Sequence, residues 1–193
     1  MRVAFYTLGC KLNQCETEGI SSSFTQAGWS IVSWEKSADL YIINTCTVTS
    51  KSEQKARRII RKILHERPGA GILVTGCYAQ LNPEELRLLG KGLYIISLDN
   101  KDKLIDLPAY LSEKQREPGF SLFEALAAFL DARVKYEEST GLERFRFSAE
   151  EFRFHSRAFL KIQDGCDNRC AYCRVPLARG VSLSLPMEEL LRR

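Results

Sequence analysis

Six of the seven cysteines in this 193-residue chain fall into two sets of three, a number that suits metal–thiolate chemistry. The tighter set lies in "QDGCDNRCAYCRVP", where Cys166, Cys170 and Cys173 form a C-x3-C-x2-C loop. Such a loop can present three sulfurs to three irons of a cubane 4Fe-4S cluster and leave the fourth iron open to a substrate or cofactor. Zinc is the competing reading. It needs a fourth ligand, and the one near candidate, His155, precedes an apolar run that would carry it away from the loop.

The second set is dispersed. Cys10 follows the apolar run "VAFYTL", Cys46 follows "LYIINT" and Cys77 follows "ILVTG". If these runs are strands of one parallel sheet, their carboxyl ends lie together. That crevice is where open α/β sheets bind ligands and where the following helices direct their N–H groups. Three unrelated core cysteines are the alternative, because free Cys is often a small buried hydrophobe. The coincidence of all three with strand ends favours a shared site. Cys15, about one helical turn past Cys10, reads as a plain helix cysteine, since a fourth thiolate would close the site.

The elements that must position these residues are legible as alternating apolar runs and helix starts, the pattern of a doubly wound parallel sheet. Strands are expected at 3–8, 30–34, 40–45, 72–75 and 93–97, mostly continuous apolar runs suited to burial on both faces. Ser50 with Glu53 reads as a capping box, Asn82-Pro83 with Glu85 as a second helix start, and Ser121 with Glu124 as a third. The divisions expected are an N-terminal α/β domain at 1–112, a charge-rich connector at 113–151 broken near "EPGFS", and a second domain from 152 to 193. In the last of these, "RAFLKIQ" reads as a strand leading into the cysteine loop. No internal repeat or low-complexity tract interrupts this order.

Composition narrows the class. Apolar residues make up 45% of the chain, enough for a packed core. The N-terminus lacks the pattern of a signal peptide, and no apolar stretch reaches membrane length. The chain therefore reads as cytoplasmic, where an odd number of clustered cysteines points to metal or redox chemistry rather than disulfides. The net charge of +4 suits an anionic partner. One helix, around 50–64, carries Lys51, Lys55, Arg57, Arg58, Arg61 and Lys62 beside an apolar face of Ile59, Ile60, Ile63 and Leu64. This is a solvated face or a contact for RNA phosphates. His65, at its end, suits the helix dipole better than catalysis.

Four motifs in order, "YTLGCKLNQ", "INTCTVT", "VTGCYAQ" and "RAFLKIQDGCDNRCAYCRVPLARG", resemble the radical S-adenosylmethionine methylthiotransferases. "LGCKLNQ" and "LKIQDGC" are most similar to the branch acting on threonylcarbamoyladenosine beside the tRNA anticodon. The resemblance implies two 4Fe-4S clusters. One, on Cys166, Cys170 and Cys173, would bind S-adenosylmethionine and cleave it to a radical that abstracts hydrogen from carbon 2 of the adenine. The other, on Cys10, Cys46 and Cys77, would present the sulfur inserted there. The resemblance further implies a tRNA anticodon stem-loop as substrate, an electron donor such as a flavodoxin or ferredoxin, and Tyr172 near the cofactor's adenine. Asn13 and Gln14 after Cys10, and Arg179 and Gly180 after the loop, match the family pattern. The same resemblance implies a longer protein, in which 152–193 begins a radical S-adenosylmethionine barrel. A stand-alone iron–sulfur or electron-carrying module is the alternative, as are the branches acting on isopentenyladenosine or on a ribosomal protein.

Overall fold

The computed structural model describes residues 1–134, 141–147, 153–154 and 156–192. Five strands, β1 (Arg2–Thr7), β2 (Ser30–Val32), β3 (Leu40–Thr45), β4 (Gly71–Gly76) and β5 (Leu93–Ile95), form one sheet in the order β2-β1-β3-β4-β5, every pairing parallel. All six residues of β3 and all six of β4 are buried. That explains why both read as unbroken apolar runs: each is covered on both faces.

The helices divide between those faces. Helices α1 (Lys11–Gln26), α5 (Leu107–Lys114) and α6 (Leu122–Phe129) cover one, packing Ile20, Phe24, Leu111, Leu126 and Phe129 against Val3, Phe5, Leu40, Ile42 and Leu73. Helices α2 (Ser50–Glu66), α3 (Cys77–Leu81) and α4 (Pro83–Arg87) serve the other. There Ala56, Ile59, Ile60, Ile63, Tyr78 and Leu86 meet Ala4, Tyr41, Ile43, Ile72 and Val74. The doubly wound class is thus realised. Within the charge-rich stretch expected to connect two domains, Leu126, Phe129, Phe145 and Phe147 are buried, three of them in the first layer's core.

Two local expectations are corrected. The cap of α2 is Thr49, not Ser50, and its side chain accepts from the Ser52 N–H. Glu53 is drawn instead into tertiary bonds with Thr47 and Arg174. The strand expected at 157–163 is confined to β6 (Gln163–Asp164), which pairs antiparallel with β7 (Leu183–Ser184). In this stretch Lys161 is buried while Leu160 and Ile162 are exposed. Lys161 points inward because two carboxylates wait there, as described below. Helices α7 (Val175–Arg179) and α8 (Met187–Leu191) complete the chain's elements. The short antiparallel pair does not by itself establish the first strand of a barrel.

Candidate metal centre

Register brings the dispersed cysteines to one edge. Thr45 pairs with Gly76, so Cys46 and Cys77 each stand one residue beyond a matched pair. Thr7 pairs with Asn44, and the Leu8 N–H continues the ladder to the Asn44 carbonyl at 2.8 Å, which leaves Cys10 on the same edge. Two glycines let the strand ends close up. Gly9 has φ +105°, and a Cβ there would lie 2.6 Å from the Cys46 sulfur. Gly76 has φ +99°, and a Cβ there would lie 2.2 Å from the Thr45 carbonyl oxygen. Gly9→Ala is therefore expected to cost more than about 1 kcal/mol, because both the backbone conformation and the space exclude a side chain. Urea unfolding measures it.

Asn13 fastens this edge. Fully buried on α1, it donates to the Leu8 carbonyl at 2.8 Å and the Thr45 carbonyl at 3.0 Å, the backbone just before Cys10 and Cys46. It therefore does not cap its own helix. Cys10 is the N-cap residue of α1 and is exposed, whereas Cys46 and Cys77 are buried. The Cys46 sulfur accepts from the Val48 N–H at 3.5 Å. Burial pushes the Cys77 thiol up, against the pull of Arg179 and Lys101 beside it. Cys15 differs in kind. Its sulfur contacts the Phe159 carbonyl at 3.5 Å, and burial and the neighbouring Glu16 push the thiol up to about 11.

The cysteine loop folds on itself and then onto that edge. The Cys173 N–H bonds to the Cys170 carbonyl at 3.0 Å, and the Cys166 N–H bonds to the Gly180 carbonyl at 3.1 Å, closing the loop at both ends. Gly165, at φ +72°, allows the crossing, since a Cβ there would meet the Val181 carbonyl at 2.0 Å. Arg174 reaches Glu53 at 2.7 Å, and Arg179 is buried among Glu16, Asp164 and Asn13. Tyr172 projects from the loop with 90% of its surface exposed. Gln14 lines a half-open cavity of about 240 Å³ with Tyr6, Thr7 and Trp34. His155 lies outside the described residues, and His65 is exposed at the end of α2.

Among the described residues, no three Cys, His, Asp or Glu side chains converge at the spacing of a single metal ion. The chemistry of the donors fits a cluster nonetheless. Each triad is all-sulfur, its members meet along one edge or within one loop, and Cys46 already receives an N–H bond.

Residues 2–96 match the family described as "Uncharacterized protein family UPF0004". Over 192 residues the chain is 38% identical to the threonylcarbamoyladenosine tRNA methylthiotransferase MtaB of Bacillus subtilis, covering 99% of this chain and 39% of that protein. Nearly the whole chain is thus similar to proteins named as methylthiotransferases. The MtaB of Aquifex aeolicus is 34% identical over 194 residues, with 100% of this chain and 44% of that protein covered. The tRNA-2-methylthio-N(6)-dimethylallyladenosine synthase of Chloroherpeton thalassium is 32% identical over 198 residues, 98% of this chain and 39% of that protein. The chain thus spans about two fifths of the length of these curated relatives.

Around these cysteines the sequence reading missed a set of buried charges. Glu16, Lys101, Lys161 and Asp164 join Arg179 in one ion network. Burial works to raise the Glu16 carboxyl, but Lys101, Arg179 and Lys161 together hold it well below the usual carboxylate range. Lys101 is pushed down by burial and by Arg179, because it shares one carboxylate with two other cations. Arg179 itself is buried against the Glu16 and Asp164 carboxylates. Lys161 and Asp164 stand inside "LKIQDGC", so the motif was visible while the burial of its charges was not.

Proposed function

We propose that this chain supplies both cysteine sites of a tRNA methylthiotransferase acting on threonylcarbamoyladenosine. The observation that carries this reading is the docking of the C-x3-C-x2-C loop onto the sheet edge that bears Cys10, Cys46 and Cys77. Cys166, Cys170 and Cys173 would hold one 4Fe-4S cluster and Cys10, Cys46 and Cys77 a second. With S-adenosylmethionine bound, these groups supply the one-electron reduction, the radical and the sulfur that an unactivated aromatic C–H bond requires. The protein's own residues hold the two sites together and shield them. Asn13 fixes the strand ends, Gly9 and Gly76 allow their approach, and Tyr172 is free to lie against a cofactor ring.

The substrate class rests on the relatives' names and on α2. Lys51, Lys55, Arg58, Arg61 and Lys62 are exposed along that helix, while Ile59, Ile60 and Ile63 face the core. Such a stripe suits the phosphates of an anticodon stem-loop, positioning the RNA without reading its bases. Arg57 is diverted to Tyr78 and Glu85 and belongs to the fold rather than the stripe. An electron donor such as a flavodoxin or ferredoxin completes the proposed system, with the cytoplasm as its place. Among the described residues no helix is long and apolar enough to cross a membrane. The relatives named as dimethylallyladenosine synthases support a second reading, the same reaction on that nucleoside.

Anaerobic reconstitution tests the two-site reading. The chain is expected to take up about eight irons, and Cys166, Cys170 and Cys173 changed together to Ala should leave about half. Zinc alone in the parent, or no iron in the triple variant, overturns it. Cys15→Ala should keep its full iron content while Cys46→Ala loses the N-terminal half; equal losses would make Cys15 a ligand.

A further inference from the structure

The two cysteine triads are joined through one side chain. Arg179 lies six positions past Cys173 at the end of α7, which packs on α3, the helix that begins with Cys77. Its guanidinium is 4% exposed and fully engaged. One nitrogen donates to Glu16 at 2.9 Å and Asp164 at 2.8 Å; the other donates to Asn13 at 2.7 Å and makes a longer contact with Glu16 at 3.3 Å. Through Asn13 it is one bond away from the Leu8 and Thr45 carbonyls that precede Cys10 and Cys46. The next residue, Gly180, accepts the N–H of Cys166.

We propose that Arg179 is a positioning residue that locks the strand-end cysteine site to the C-x3-C-x2-C loop and supplies a fixed cation beside whatever metal centre Cys77 holds. The inference rests on the reading that Cys10, Cys46 and Cys77 bind a cluster. Within the five-residue network, Arg179, Lys101 and Lys161 face only Glu16 and Asp164, an excess of one positive charge. A thiolate-ligated cluster is anionic, and its potential responds to nearby charge and to hydrogen bonds on its sulfurs. An arginine suits both parts of this role. Its planar fork serves Glu16, Asp164 and Asn13 at once from one rigid group. A lysine would keep the charge but not the fork.

The test uses the 193-residue chain with Cys166, Cys170 and Cys173 changed to Ala, so that only the strand-end site can load. Iron content, the EPR spectrum of the reduced centre and its midpoint potential are compared for this parent, Arg179→Gln and Arg179→Lys. Far-UV circular dichroism reports folding. Arg179→Gln should lower the potential and change the EPR line shape, because a cation leaves the site and Asn13 loses the bond that braces the strand ends. Arg179→Lys should hold the potential near the parent's while the line shape still changes. Should Arg179→Gln fail to fold, Arg179→Lys carries the test on line shape. A parent that binds no iron overturns the cluster reading and this inference with it. A parent that loads, with potential and line shape unchanged in every folded variant, overturns the inference alone.

Discussion

Glu16→Gln is expected to lower the unfolding free energy by about 3–5 kcal/mol, the cost of removing one partner from a buried ion pair. Glu16 is 1% exposed and accepts from Lys101, Lys161 and Arg179, with the latter two at 2.8 and 2.9 Å. The substitution keeps the shape and leaves three buried cations facing Asp164 alone. Surface pairs such as Lys114–Glu117 provide the contrast, since solvent screening should leave their removal with little effect. The pH dependence has a definite sign. The Glu16 carboxyl is held well below its unfolded value, so its contribution is complete above an unfolded pKa of about 4.3 and is lost as pH falls through the lower folded value. Urea titrations at neutral pH should therefore show the full gap between parent and variant. The gap should begin to close only below about pH 4. A gap under 1 kcal/mol at pH 7 would mean that the network relaxes to admit water.

The sheet was legible because its chemistry is local. A strand covered on both faces must be apolar along its length, and "LYIINT" and "GILVTG" are, apart from the threonines and Asn44 at the ends that bond across the edge. The grouping of Cys10, Cys46 and Cys77 followed from the same logic, because residues just past parallel strands share an edge whatever the helices between them do. The α2 cap slipped by one residue, since Thr49 and Ser50 are both competent hydroxyls and the choice fell to the one whose oxygen meets the Ser52 N–H. What no local pattern reveals is the burial of charge. Glu16 finds its cations 85, 145 and 163 residues away. In the sequence each of those four residues looks like a solvated surface charge. The strand expected across Lys161 was cut short in the same setting: the carboxylates of Glu16 and Asp164 hold the lysine inward, and Leu160 and Ile162 are turned out.

The largest functional effect is expected at Cys46, in a full-length protein built on this chain. The two proposed sites divide the work: cleavage of S-adenosylmethionine needs the loop cysteines, whereas transfer of sulfur also needs the strand-end set. Cys46→Ala removes the central member of that set, the residue that stands beside Gly9 and, like Cys77, one residue past the Thr45–Gly76 pair. The change is expected to leave the fold intact, because Asn13, Thr45 and the Thr75 carbonyl hold the edge through bonds that do not involve the Cys46 sulfur. The variant should therefore still produce 5'-deoxyadenosine under strong reductant while its methylthiolated nucleoside falls below detection. Cys166→Ala should lose both products. Mass spectrometry of digested tRNA, from cells that lack their own enzyme and carry each variant, reads the nucleoside, and chromatography of the reaction mixture reads the cleavage. Methylthiolated threonylcarbamoyladenosine from Cys46→Ala would remove the strand-end cysteines from the mechanism. A methylthiolated dimethylallyladenosine from the unmutated protein would instead move the chain to the other tRNA branch and leave both cysteine sites standing, because that reaction asks the same division of labour of the same six thiols.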